Sequence, residues 1–151
     1  MTDTTGWTEH KGPGFTVSAP GPATVEQIAA HDDVRALERH TYFKNEIESY
    51  VVEITEFRES DDLGMMLNNM RMALTSATQS VRGEDLIDPS ETSGDVTGRD
   101  IWYVVEIGVE THRARSKLLG KGHKIYEVRG ISPREKEADA EKFVESFTFT
   151  P

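Results

Sequence analysis

Ile101-Trp102-Tyr103-Val104-Val105-Glu106-Ile107-Gly108-Val109 is the stretch on which the fold turns. Side chains alternate between the two sides of an extended chain, so Ile101, Tyr103, Val105, Ile107 and Val109 share one face. Trp102 and Val104 take the other, giving way to Glu106. The period is two, which predicts a strand. A turn near Glu110 leads to a second strand from Thr111 to Leu119. Gly120-Lys121-Gly122 then reverses the chain into a third, from His123 to Ile131. Two glycines around one lysine allow the positive φ that a tight hairpin needs. Close connections of this kind join antiparallel strands, because a parallel crossover needs about a dozen residues or more.

The pattern extends toward the N-terminus. Ser49 to Phe57 and Val34 to Phe43 read as strands, with Lys44-Asn45-Glu46 as the turn between them. Phe15-Thr16-Val17-Ser18 is a shorter strand, cut off by Ala19-Pro20-Gly21-Pro22. Thr24 to Ala30 reads two ways. Thr24-Val25-Glu26-Gln27 has the order of a helix capping box, and the same residues fit a strand paired across His31-Asp32-Asp33.

Two segments have helical period. Ser60-Asp61-Asp62 supplies caps for a helix whose apolar stripe is Leu63, Met66, Leu67, Met70, Ala73, Leu74, Ala77 and Val81, ended by Gly83. Ser132-Pro133-Arg134-Glu135 is a second start, followed by the stripe Ala140, Phe143, Val144 and Phe147. The order is strands, a long helix, strands, a final helix. That order predicts an α+β domain over 15–151 with a mainly antiparallel sheet, behind a Gly- and Thr-rich flexible lead-in over 1–14.

Composition narrows the function. The chain has 151 residues, one domain's worth, and a formal charge of −10. Phosphates would be repelled, so nucleic acid is not expected as a partner. With no Cys, disulfides, thiolate metal sites and cysteine nucleophiles are excluded. No apolar run reaches the ~18 residues of a membrane span. The first residues lack the basic and apolar regions of a secretory signal, so the expectation is a cytoplasmic location.

The segments Gly14-Phe15-Thr16-Val17-Ser18-Ala19-Pro20-Gly21 and Phe143-Val144-Glu145-Ser146-Phe147 are similar to the "F-x-V-x-x-P" opening and "F-x-x-S-F" close of many small bacterial domains. The mid-chain helix, the turn Gly94 to Gly98 and Tyr126 in the last hairpin strand fit the same pattern. The chain thereby resembles the PsbP-like fold, a twisted antiparallel sheet with helices on both faces, an α/β/α sandwich. That fold is shared by an extrinsic photosystem II subunit, a Ran-binding nuclear transport factor, bacterial lipoproteins and secretion-system adaptor chaperones. The resemblance implies that Thr24 to Ala30 is a strand. It also implies a mainly non-catalytic role, with no catalytic residue to carry over.

The residues themselves carry no cofactor motif. His10, His31, His40, His112 and His123 lack the i, i+4 spacing of a zinc protease, so no metal is expected. Gly120-Lys121-Gly122 lacks the spacing of a phosphate loop, and there is no G-x-S-x-G elbow. A hairpin with Leu119 opposite His123 sets Arg115 against Glu127 and Arg113 against Arg129. Arg113, Arg115 and Lys117 then form a basic stripe, joined by Arg129, that either binds an acidic partner or closes an ion-pair ladder. Met65 and Met72 lie off the buried stripe of the long helix, where thioethers make a permissive apolar surface or pack on a neighbouring loop. The leading expectation is a non-catalytic protein-binding or adaptor module using these two surfaces, with another protein as partner. The alternatives are a small hydrolase or isomerase, pairing a strand glutamate (Glu53, Glu106 or Glu127) with His40 or His112, and a small-molecule carrier.

Overall fold

The computed structural model describes residues 6–28, 34–45, 48–57, 65, 96–107, 110–133 and 137–150. They form two antiparallel sheets and one short helix. The elements are β1 (Thr8–Gly12), β2 (Phe15–Ala19), β3 (Thr24–Ile28), β4 (Val34–Lys44), β5 (Ser49–Phe57), β6 (Val96–Ile107), β7 (Glu110–Lys121), β8 (Lys124–Ser132), α1 (Glu137–Ser146) and β9 (Thr148–Phe149). The large sheet has the order β3-β4-β5-β8-β7-β6 and the small one β1-β2-β9.

This overturns the α+β sandwich with helices on both faces. The large-sheet face that carries α1 carries a second β layer beside it. Phe15, Val17 and Ala19 of β2, together with Phe143, Val144 and Phe147 at α1, bury Tyr50, Val52, Ile54, Leu119, Tyr126 and Val128 of the large sheet. The architecture is mostly β, with α1 resting on β8, β7 and β2. The helix expected over 60–83 lies outside the described residues apart from Met65, which is in helical conformation.

The small sheet exists because the lead-in is not loose from Thr8 onward. Gly12 pairs with Phe15 across Pro13-Gly14. Gly14 takes φ 78°, the value that a type II turn with proline first requires of its second residue. β1 then pairs residue for residue with β2. Thr148 and Phe149 pair on the far side of β2, and Thr150 N–H donates to the Gly14 carbonyl at 3.0 Å.

The strands β4, β5, β7 and β8 fall close to where alternation puts them. Asn45 closes the β4–β5 hairpin, its side-chain oxygen accepting from Glu48 N–H at 2.8 Å. The described part of the final helix begins at Glu137. β8 runs through Ser132, because a residue before proline is pushed toward extended conformation.

Helix and sheet approach closely at Gly130. A Cβ there would lie 2.7 Å from the Ala140 carbonyl oxygen and 2.9 Å from its Cα. Both are helix backbone, so the helix would have to move. Gly130→Ala is expected to destabilise the chain by about 1–3 kcal/mol, read as a lower urea midpoint with an unchanged slope.

Candidate functional site

The β7–β8 hairpin turns on Gly122-His123, with Lys121 opposite Lys124 and Gly122 at φ 64°. Leu119 is therefore opposite Tyr126. The pairing differs from the expected register by three residues. An odd shift moves every side chain of one strand to the other face relative to its neighbour. Arg113, Arg115 and Lys117 stand opposite Ser132, Gly130 and Val128, on the face that carries α1. Arg129 and Glu127 are on the other face.

The structure thus keeps three members of the basic stripe together and separates Arg129 from them. Arg115 is buried and its guanidinium is 2.8 Å from the Glu145 carboxylate of α1. It ties the helix to the sheet. Arg113 and Lys117 are half-buried beside it. Met65 is 53% exposed, and Met72 lies outside the described residues.

On the other face, pairing of four strands sets Glu26, Arg39, Glu53 and Glu127 in one rank across β3, β4, β5 and β8. Glu53 and Glu127 are direct cross-strand neighbours, an arrangement that two carboxylates disfavour. Arg129, two residues along β8, bridges them. Its Nη1 lies 2.8 Å from Glu127 Oε2 and its Nη2 lies 3.4 Å from Glu53 Oε1. Arg39 Nε lies 2.8 Å from the same Glu53 oxygen. Burial pushes the Glu127 carboxyl above the usual carboxylate range. The charge of Glu53 adds to that push, and Arg129 and Arg39 oppose it.

Neither histidine proposed to work with Glu127 is near it. His40 is on the α1 face, because it pairs with Val52 and not with Glu53. His112 shares the face of Glu127 but lies on β7 six residues from Leu118, the partner of Glu127. Six residues of strand span roughly 20 Å. Glu106 stands opposite Thr111, next to the Val105–His112 pair.

His40 has instead a carboxylate two residues away on its own strand. Its Nε2 is 2.7 Å from Glu38 Oε2. That bond holds the Glu38 carboxyl below the usual range against the opposing effect of burial. Gln27, whose side-chain amide donates to the other Glu38 oxygen, His40's own charge and Lys124 add to the lowering. The Phe15 ring meets the imidazole edge-on at 5.6 Å, and His40 is only 5% exposed. Phe15 of the small sheet covers His40, while Glu38 keeps 24% of its side chain exposed. Sequence reasoning passed over Glu38, though Glu-x-His on a strand is the spacing that puts both side chains on one face.

At the end of the rank is β3. Among the described residues it pairs with β4 alone. Thr24, Val25, Glu26 and Gln27 are all exposed, and Val25 is 50% exposed. Among the described residues, no group of three or more His, Asp or Glu side chains could hold a metal ion. No described helix is long and apolar enough to cross a membrane. No family model matches the chain, and no curated protein matches it.

Proposed function

We propose that the chain is a non-catalytic protein-binding module. The observation that carries this reading is β3, which among the described residues is an edge strand with one paired side and has four consecutive exposed residues. An edge strand presents a row of backbone donors and acceptors that a second chain can satisfy. The two surfaces read from sequence support it less well. Arg115 is committed to Glu145, and Arg129 bridges two glutamates on the opposite face. Of the acid–base pairs expected from the sequence, the two that use Glu127 are kept apart, since it is distant from both His40 and His112.

The test is native mass spectrometry of the chain purified gently from its own cells, at low and at moderate salt. A protein that co-purifies in fixed ratio is the expected result. Partial loss of it as salt rises would mark a contribution from exposed charges. A bound small molecule in place of a protein would overturn the reading in favour of a carrier or an enzyme.

A further inference from the structure

We propose that β3 receives an extended segment of a partner as an added antiparallel strand, with a Lys or Arg of that segment opposite Glu26 and an apolar residue directly after it opposite Val25. The proposal rests on the protein-binding reading and specifies its surface and the chemistry of its partner.

The charge argument comes from the rank. Glu26, Arg39 and Glu53 stand side by side on three strands, negative, positive, negative. The Arg39–Glu53 contact at 2.8 Å shows one step of that alternation closing as an ion pair on this face. The next position outward from Glu26 belongs to a strand that β3 lacks among the described residues. A basic side chain there continues the alternation, and an acidic one sits directly against Glu26. Opposite charges across a pair stabilise a sheet and like charges destabilise it. The chain's overall charge of −10 likewise favours a positively charged partner.

The apolar argument comes from the neighbouring residue. Val25 is on the other face, paired with buried His40, which pairs in turn with buried Val52. Burial therefore deepens inward from Val25, which is left half-exposed at the rim. An apolar side chain on an added strand would cover it. In antiparallel pairing the residue opposite Val25 follows the one opposite Glu26, so the order in the partner is basic, then apolar.

The edge is also only lightly defended. Edge strands are commonly blunted by lysine or proline. Thr24-Val25-Glu26-Gln27-Ile28 has neither, and its one charge is the acid that selects a basic partner. A second copy of the chain fits poorly as occupant. Two antiparallel β3 strands in full overlap set Glu26 against Glu26, between chains that each carry −10.

The probe is a synthetic capped peptide, TKTQRVTKT, titrated into the full chain and followed by backbone amide NMR. Shifts should concentrate in β3. Glu26→Lys, a change at an exposed edge position, should weaken binding about tenfold. Replacing the peptide's Arg with Glu should restore the affinity of that variant and weaken binding to the unaltered chain. A merely structural role for Glu26 would not produce this exchange of preference. The proposal is overturned if the peptide leaves β3 unshifted up to millimolar concentration. It is overturned equally if Glu26→Lys binds as well as the unaltered chain, or if the chain dimerises through β3. The protein-binding reading is judged separately. If a co-purifying protein is retained by Glu26→Lys at moderate salt, that reading stands and the assignment to β3 falls.

Discussion

Phe15→Ala is expected to lower the unfolding free energy by about 3–5 kcal/mol, the largest effect of any single truncation considered for this chain. The ring is 0% exposed. It stacks on Phe147 at 5.3 Å and meets Tyr126 at 6.3 Å and His40 at 5.6 Å. It therefore joins β2 to β4, to β8 and to the C-terminal end of α1. Its removal leaves a void that none of these elements can fill without leaving another neighbour, and a cavity adds to the lost transfer energy. A loss of this size is a large part of the ~5–15 kcal/mol that holds a domain of ordinary stability together. Urea denaturation of Phe15→Ala and Phe43→Ala side by side is the check. Phe43 is 39% exposed and rests mainly on Tyr50 at 6.3 Å, so its truncation should cost clearly less. Equal losses would remove Phe15 from its place at the junction of the two sheets.

The contrast between β1 and β2 explains how much of the fold is legible in the sequence. Phe15-Thr16-Val17 alternates because one face of β2 is buried, and burial is what a hydrophobic pattern records. Thr8-Glu9-His10-Lys11-Gly12 has no buried face and so no pattern. Its extended form comes from backbone pairing to β2 and from the turn at Pro13-Gly14. The small sheet, and with it the correct architecture, hangs on that strand. Ser146 illustrates the same limit at the other end. The sequence places it in a helix. Only the tertiary structure brings its hydroxyl to the Ser18 N–H, 2.9 Å away on β2.

The candidate site was harder to read, because register decides it. Gly120-Lys121-Gly122-His123 accommodates a loop of three residues or of two, and a change of one residue in loop length flips β8 relative to β7. The expected turn put Arg115 against Glu127. The turn at Gly122-His123 sends them to opposite faces. The rank Glu26–Arg39–Glu53–Glu127 demands three registers at once, across connections of different length. Glu38 and His40 needed only one strand, and their spacing alone could have revealed them.

Arg129→Met should destabilise the chain by about 3 kcal/mol near neutral pH. Arg129 is the group that reaches both Glu127 and Glu53, and Glu127 keeps only 11% of its side chain exposed. Truncation leaves a buried carboxylate facing another carboxylate. The pH dependence separates this cause from simple loss of packing. Burial already holds the Glu127 carboxyl above the usual carboxylate range, with Arg129 opposing that rise. In the folded chain the group thus binds its proton more tightly than in the unfolded chain. Its contribution to stability falls as pH rises from the unfolded pKa through the folded one. Without Arg129 the folded pKa rises further, so the fall becomes steeper and reaches higher pH. Urea midpoints of Arg129→Met should therefore recover toward those of the unaltered chain as the pH is lowered from neutral toward the usual carboxylate range, because Glu127 takes up its proton on the way. Glu127→Leu added to Arg129→Met should restore much of the stability at neutral pH, because an apolar side chain needs no counter-charge. A loss that is the same at both ends of that pH span, and untouched by Glu127→Leu, would mean that Arg129 acts through its aliphatic stem and not through the carboxylates.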